Sequence, residues 1–254
     1  MSKVFNKYAA IYDAFYSEKN YKSETDYVVS IIGDTGIKSA LDLGCGTGQF
    51  TVEFMKLGMQ VHGVDFSEDM IKIAKANAET SYLTPNTLPT FSVADIRNYV
   101  SGEKYELVFS LFHVINYMTT NTDLNKFFKT AHQSLLSGGL LVFDYWYGPA
   151  VLANPPTKRT REISWNGTRV VRYATPTLSS KENRVDVRYE FEIDQRDGTV
   201  LDSYEETHKM RFLFDDEIKA FSSGLFEQIV SFGWMTTTEP SELNWSAVTV
   251  LRKI

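Results

Sequence analysis

Three glycines at alternate positions, Gly44, Gly46 and Gly48, follow the apolar segment 40–43 and precede a helical pattern. Glycine allows positive φ angles and lets a ligand approach main-chain N–H groups closely. The helix that follows presents unpaired N–H donors in its first turn. This pattern predicts a loop that binds a nucleotide-like ligand at the carboxyl end of a strand.

An acidic residue further along the chain supports this interpretation. Asp65 ends the short apolar segment 61–65, about twenty residues beyond Gly44, where α/β nucleotide sites place the carboxylate that binds ribose hydroxyls. The spacing Gly-x-Gly-x-Gly after Asp42 differs from the Gly-x-Gly-x-x-Gly that binds the pyrophosphate of NAD. The two motifs together therefore favour a ribose-containing cofactor without a pyrophosphate.

The glycine loop resembles that of the class I S-adenosylmethionine-dependent methyltransferases. The resemblance implies S-adenosyl-L-methionine as the cofactor, with the loop and Asp42 against its amino-acid part and Asp65 on both ribose hydroxyls. It also implies an adenine contact after the third strand and a lid formed by a Tyr-Asp pair before the loop, here at Tyr12. A tyrosine some nine residues later, here Tyr21, is implied to reach the cofactor's carboxylate. The predicted cofactor-binding residues are Tyr12, Tyr21, Asp42, Gly44, Gly46, Gly48, Asp65, Met70, Asp95, Ile96 and Phe112.

The predicted fourth strand is followed by polar side chains that interrupt an apolar run, at His113, Asn116 and Tyr117. Methyl transfer is an in-line displacement, so the site must mainly align the atoms and exclude water. An amine nucleophile must be neutral, and a hydroxyl must lose its proton to a base. We predict these three residues to be catalytic, with His113 as the best-placed base. A hydrogen-bonded packing role for a lone histidine is the alternative.

The elements that must position these residues are visible in the hydrophobic pattern. Short apolar runs near 39–43, 60–65, 90–94, 105–110 and 139–145 alternate with helical patterns. Such alternation predicts an α/β fold with a parallel sheet covered on both faces and ligands at the carboxyl ends of its strands. With closing strands at 227–232 and 246–251, the resemblance implies a Rossmann-like, seven-stranded, mostly parallel sheet.

The pattern changes after Trp146. From Val185 to Ile193 apolar and charged residues alternate with a period of two, and an Asp-Gly pair at 197–198 then predicts a hairpin turn. We therefore predict an inserted antiparallel β layer after strand five. The predicted division is a methyltransferase core at 1–148 and 212–254, with residues 149–211 as the inserted layer for acceptor binding or dimerisation.

Composition excludes several classes of function. The chain has 254 residues, 43% of them hydrophobic, and a net charge of −6, which argues against a nucleic-acid partner. No apolar run approaches the roughly 20 residues of a membrane span, and the N-terminus lacks the apolar core of a signal peptide. We expect a cytoplasmic protein with no membrane partner. The single cysteine, Cys45, predicts neither a disulfide nor a cysteine metal site, and no metal is expected.

Arginine is unevenly distributed along the chain. Eight of the ten arginines lie in the inserted layer or at its end, and such a cluster can bind a phosphorylated small molecule. A solvated face with interspersed acids is the alternative. The eight are Arg159, Arg161, Arg169, Arg172, Arg184, Arg188, Arg196 and Arg211.

The lid, the segment 143–149 and the run 205–209 are similar to the sugar-nucleotide N-methyltransferases that methylate dTDP-linked amino sugars. This resemblance implies a homodimer that methylates the amino group of a nucleotide-linked sugar. One departure is that the histidine of that subfamily after strand four falls where this chain has Tyr117. O-methylation of a sugar or another small metabolite of surface-polysaccharide assembly is an alternative, as is a catalytically silent cofactor-binding subunit. An NAD oxidoreductase is disfavoured by the glycine spacing.

Overall fold

The computed structural model describes residues 8–33, 36–81, 88–194 and 199–254. Three sequence predictions concern positions outside the described residues. They are the start of the N-terminal lid at 5–7, the Asp-Gly turn at 197–198, and Arg196.

A seven-stranded sheet forms the centre of the chain, in the order β10-β11-β5-β4-β1-β2-β3. Neighbouring strands among β1 to β5 pair in parallel, whereas β11 is antiparallel to both β5 and β10. The predicted fold class is therefore confirmed. The strands are β1 (Ser39–Leu43), β2 (Gln60–Asp65), β3 (Thr90–Val93), β4 (Tyr105–Ser110), β5 (Leu135–Trp146), β10 (Phe226–Gly233) and β11 (Ser246–Lys253).

Helices cover both faces of this sheet, which explains why its central strands consist of nearly continuous apolar runs. On one face, Phe54 stacks on Phe109 of β4 with ring centroids 4.2 Å apart. On the other face, Phe127 and Phe128 pack against Phe143 of β5. The helices are α1 (Ala9–Phe15), α2 (Tyr21–Ile32), α3 (Gln49–Lys56), α4 (Glu68–Ser81), α5 (Asn121–Ser134), α6 (Gly148–Ala153) and α7 (Asp215–Ser222).

A separate antiparallel sheet of four strands follows β5, in the order β6-β7-β8-β9. In β8 the alternation seen in the sequence buries Val185, Val187 and Phe191 and exposes Arg188, as expected for a sheet with one solvated face. The inserted antiparallel layer is thus present. Its strands are β6 (Arg159–Trp165), β7 (Thr168–Ser179), β8 (Arg184–Asp194) and β9 (Val200–Arg211).

Helix α1 packs on this smaller sheet. Tyr8, Ile11 and Phe15 form a buried cluster with Val170 of β7 and Phe191 of β8. The sheet therefore holds the N-terminal helix in place. Within the described ranges, no helix combines the length and the apolar character that a membrane span requires.

Candidate active site

A cavity of about 640 Å³ lies at the carboxyl ends of β1, β2 and β4, within the range of small-molecule sites. Helix α1, the glycine loop and the four-stranded sheet all contribute to its walls. It brings together most of the residues predicted from the sequence. The predicted residues that line it are Tyr12, Tyr21, Asp42, Gly44, Gly46, Asp65, Met70, Asp95, Ile96, Phe112, His113 and Tyr117.

The loop glycines all have positive φ, at +86° for Gly44, +52° for Gly46 and +77° for Gly48. A Cβ on Gly44 would lie 2.4 Å from Cγ1 of Val114, so this position requires glycine for space as well as for conformation. Gly48 is the N-cap of α3 and packs against Ala74. It therefore shapes the loop rather than lining the cavity.

Asp65 ends β2 and has only 8% of its surface exposed. Its Oδ2 accepts a hydrogen bond from the Gly46 N–H at 2.9 Å, and its Oδ1 accepts one from the Ser67 N–H at 2.9 Å. Burial raises the pKa of this carboxyl above its ordinary value. The two N–H groups fix the carboxylate beside the glycine loop, where it fits the hydroxyl pair of a ribose.

Asp42 lies beneath the loop and is almost fully buried. Thr51 Oγ1 donates a 2.6 Å hydrogen bond to its Oδ2. Burial raises the pKa of Asp42 to about 7, although the Thr51 hydrogen bond acts in the opposite direction. Burial therefore favours the protonated form of Asp42 to a much higher pH than is usual for an aspartate.

This shift makes the stability of the ligand-free protein depend on pH. The pKa of Asp42 is about 7 in the folded state, against an ordinary value of 3.8. The stability that its protonated form supplies is therefore complete below about pH 4 and lost as the pH rises through 7. We expect Asp42→Asn to stabilise the protein at pH 8 by up to about 4 kcal/mol, measured by urea unfolding. The gain should vanish near pH 4, and an equal gain at both pH values would contradict the expectation.

The part of the cavity predicted for adenine combines apolar surface with an ion pair. Phe66 and Val93 line the cavity with 49% and 48% of their surface exposed, and a planar base would cover them. Asp95 accepts hydrogen bonds from Arg97, which lowers the pKa of this carboxyl. Ile96 is buried beside it. These residues fit the predicted cofactor, and the exposed apolar pair was not foreseen from the sequence.

Helix α1 is fastened to the glycine loop by Asp13. Its Oδ1 accepts a 2.6 Å hydrogen bond from Thr47 Oγ1, and its Oδ2 accepts bonds from Asn77 Nδ2 at 2.8 Å and Gln49 Nε2 at 3.2 Å. The neighbouring Tyr12 lines the cavity. Asp13 therefore anchors the predicted lid to the glycine loop. In the sequence, the only sign of this role is that Asp13 directly follows Tyr12.

Tyr21 opens α2 at the edge of the same cavity. The Lys19 ammonium lies 5.3 Å from the centre of its ring and 4.3 Å from that of Phe112, and it pairs with Glu24. A cation thus stands beside the tyrosine predicted to reach the cofactor's carboxylate. Sequence reasoning missed Lys19 because a single lysine near a helix start carries no distinctive signal.

The backbone after β4 is strained at the predicted base. Phe112 and His113 both adopt left-handed φ angles, 68° and 64°, which non-glycine residues rarely do in succession. The His113 N–H donates to Asp144 Oδ1 at 3.0 Å. The carboxylate of β5 therefore holds this turn in place.

The imidazole of His113 is fixed from the same side. Its Nε2 lies 2.8 Å from Ser246 Oγ and 3.3 Å from Asp144 Oδ2. Because a carboxylate accepts hydrogen bonds, Nε2 carries the proton and Nδ1 keeps its lone pair. Burial lowers the pKa of His113, with a smaller opposing effect from Asp144. The ring is therefore neutral at pH 7 and able to accept a proton.

The other two predicted catalytic residues occupy different surroundings. Asn116 is fully buried, with Nδ2 donating to the Arg211 carbonyl at 2.5 Å and Oδ1 accepting from the Trp146 N–H at 3.3 Å. It lies outside the cavity lining and connects this loop to β9 and β5. Tyr117 does line the cavity, and its Oη lies 2.6 Å from His208 Nδ1.

The four-stranded sheet contributes a wall that faces the cofactor motifs. Tyr189 of β8 and His208 and Met210 of β9 line the cavity, as do Tyr8 and Trp146. Aromatic rings and hydroxyl groups dominate this wall, which suits a small polar ring more than a long apolar chain. Among the three sheet residues, the sequence analysis included only His208, as part of the run 205–209.

Comparison with known proteins identifies the kind of domain that contains this site. Residues 40–139 match the family model described as "Methyltransferase domain". Residues 40–139 form a methyltransferase domain. This methyltransferase domain contains the glycine loop, Asp65, Asp95 and His113. The predicted methyltransferase class is confirmed for this domain, and the site residues fit the predicted cofactor, S-adenosylmethionine.

Two relatives extend the comparison beyond the methyltransferase domain. A protein of Geobacillus sp. (strain WCH70) with a provisional methyltransferase name is 30% identical over 56% of this chain and 57% of its own. The dTDP-3-amino-3,4,6-trideoxy-alpha-D-glucopyranose N,N-dimethyltransferase of Streptomyces venezuelae is 27% identical over 58% of this chain and 60% of its own. The chain thus spans about three fifths of each relative's length. The predicted resemblance to sugar-nucleotide N-methyltransferases is confirmed.

A solved structure matches nearly the whole chain. The S-adenosylmethionine-dependent methyltransferase of Clostridium acetobutylicum ATCC 824 superimposes with a TM-score of 0.80 and covers 98% of both chains at 21% identity. The likeness therefore includes the four-stranded sheet as well as the methyltransferase domain. At this identity it shows a shared fold.

Proposed function

We propose that this chain transfers the methyl group of S-adenosylmethionine to the amino group of a nucleotide-linked sugar. The observation that carries the proposal is a cavity lined both by the cofactor motifs and by Tyr189, His208 and Met210 of the four-stranded sheet. The Streptomyces relative acts on a dTDP-linked amino sugar, which supports this choice of acceptor.

The bound cofactor supplies an electrophilic methyl group on a sulfonium. The methyl group would pass from this sulfonium to the acceptor nitrogen and leave S-adenosylhomocysteine, and the nitrogen would then give up a proton. Helix α1 and the glycine loop exclude water, which favours the neutral nucleophile and the spread of charge in the transition state. His113, neutral and held by Asp144, accepts the proton at Nδ1.

O-methylation is the second candidate, and a neutral base beside the cavity is the observation that favours it. A hydroxyl is far less nucleophilic than a neutral amine, so His113 would have to remove its proton during methyl transfer. Substrates separate the two functions. Matched dTDP sugars that carry either an amino or a hydroxyl group at carbon 3 or 4 would be incubated with the protein and S-adenosylmethionine, and release of S-adenosylhomocysteine measured.

N-methyl product from the amino sugars, identified by mass spectrometry, supports the proposal. Product from only the hydroxyl sugars replaces it with O-methylation. A protein that binds S-adenosylhomocysteine but turns over none of these sugars would contradict both sugar acceptors and favour the silent cofactor-binding subunit. Homodimer formation and a cytoplasmic location stay predictions, the first testable by light scattering.

A phosphorylated acceptor requires cations that are available to it. The structure gives five of the clustered arginines carboxylate partners, which makes them less available to a phosphate: Arg161, Arg169, Arg184, Arg188 and the buried Arg211. Arg172 instead donates to Tyr8 Oη at 2.6 Å. Among the described residues, neither Arg159 nor Arg172 forms an ion pair with a carboxylate.

We therefore expect Arg159→Ala or Arg172→Ala to raise the acceptor KM by about tenfold, since a charge-assisted phosphate contact is worth roughly 1.5–3 kcal/mol. Steady-state kinetics with the best amino sugar would measure this. Arg188→Ala is the matched control, because Arg188 pairs with Glu205 and Glu190 on the solvated face. If all three variants keep the wild-type KM, the acceptor's phosphates are not bound by this sheet.

A further inference from the structure

Three ionisable side chains form a chain of contacts that ends in the cavity. Glu206 and His208 lie on β9, and Tyr117 lies in the turn after β4. Glu206 Oε2 is 3.4 Å from His208 Nε2, and His208 Nδ1 is 2.6 Å from Tyr117 Oη. His208 is 2% exposed and Glu206 8%. The four-stranded sheet and the methyltransferase domain thus meet through this triad.

The positions of the protons on Glu206, His208 and Tyr117 determine which group donates in each of the two hydrogen bonds. An ionised carboxylate only accepts, so His208 Nε2 must carry a proton. A neutral imidazole then has an unprotonated Nδ1, which can only accept, and the Tyr117 hydroxyl donates its single proton to it. Burial raises the pKa of Tyr117 well above its ordinary value, so the hydroxyl keeps that proton. In any other hydrogen bond, Tyr117 Oη is an acceptor.

We propose that Glu206 and His208 are positioning residues that commit the Tyr117 hydroxyl to act as a hydrogen-bond acceptor toward the methyl acceptor. This inference rests on the proposed function. An acceptor amine that donates one N–H to Oη has its nitrogen held by that bond, and its lone pair points away from Tyr117. The pair therefore orients the nucleophile, and it selects acceptors that carry a hydrogen on the reacting atom.

Phenol rings surround the imidazole of His208. The groups nearest its ring are phenols: Tyr189 at 4.9 Å between ring centroids, Tyr117 at 5.9 Å and Tyr8 at 6.3 Å.

Nitrogen-15 spectra of the histidine side chains test the assignment directly. The chain has four histidines, and His208→Gln identifies the resonances of His208. In protein saturated with S-adenosylhomocysteine at pH 8, we expect a proton on Nε2 and none on Nδ1. In Glu206→Gln the Nδ1–H form should appear, because the neutral amide no longer enforces one tautomer. A proton on Nδ1 of the wild-type protein would overturn the proposal.

Kinetics test the consequence for the acceptor. With the amino sugar that gives the highest turnover, Tyr117→Phe should lower kcat roughly fivefold to tenfold, the effect of one neutral hydrogen bond, without a change in S-adenosylhomocysteine affinity. Tyr173→Phe is the matched control, since Tyr173 bonds Glu192 on the same sheet away from the cavity lining. Unchanged kcat in Tyr117→Phe would refute the orienting role. The spectra need no acceptor, so they decide the tautomer even if every sugar fails.

Discussion

Asp65→Ala should abolish the rise in melting temperature that S-adenosylhomocysteine gives to the wild-type protein. The carboxylate is fixed by two main-chain N–H groups at the end of β2 and lines the cavity. Its loss removes two charge-assisted hydrogen bonds to ribose, each worth roughly 1.5–3 kcal/mol, so affinity should fall by about a hundredfold or more. A ligand that stabilises by mass action then has little effect on unfolding at the same concentration.

The folding of Asp65→Ala must be checked first, because the Asp65 carboxylate also accepts hydrogen bonds from the N–H groups of Gly46 and Ser67. Asp65→Asn keeps a neutral acceptor for one of these groups, and calorimetry would compare both variants after circular dichroism has shown them to be folded. Since burial raises the pKa of Asp65, its protonation should weaken binding as the pH falls. Wild-type affinity in a folded Asp65→Ala protein would mean that the loop does not hold a ribose.

His113→Ala should lower turnover by at least tenfold, and by as much as the roughly 10²–10⁴ that a positioned base contributes. Affinity for S-adenosylhomocysteine should stay within a few fold, because the ring is held on the side of Asp144 and Ser246 and not beside Asp65. The pKa of His113 is lowered by burial, so its lone pair stays available as the pH falls toward 6.5. The acidic limb of the pH profile should therefore lie below the ordinary histidine pKa.

Two variants separate catalysis from packing at this position. Asp144→Asn keeps the shape of the side chain but removes the charge that fixes the proton on Nε2, so it should reproduce part of the His113 defect. His132→Ala, on α5, is the matched control and should leave turnover unchanged. Full turnover of His113→Ala at every pH would make His113 a packing residue and leave Tyr117 as the next residue to test.

The sequence predicted the parallel core well because each of its signals is local. A buried strand is a short apolar run, and the glycine loop needs positive φ at three alternate residues, so both can be recognised without knowledge of the partners. The alternation from Val185 to Ile193 predicted β8 for the same reason. Local signals also placed Asp65 and Asp95 at strand ends, where both line the cavity.

Contacts between distant segments could not be predicted in this way. Asp13 contacts Asn77, which is 64 residues away in the chain, and Tyr117 contacts His208, which is 91 residues away. No sequence pattern around one residue of a pair predicts its partner. The left-handed turn at Phe112 and His113 is equally hidden, since non-glycine residues seldom adopt that conformation and no pattern in the sequence marks this pair. Only tertiary packing determines these features.

Helix α1 forms part of the cavity wall for both proposed ligands, the cofactor and the methyl acceptor. Asp13 joins the helix to the glycine loop, whereas Tyr8 and Phe15 join it to the four-stranded sheet. Under the proposed function, any displacement of this helix would change the cofactor site and the acceptor surface together. Binding of the cofactor and binding of the acceptor are then thermodynamically linked. If the cofactor changes the affinity for the acceptor by some factor, the acceptor changes the affinity for the cofactor by the same factor.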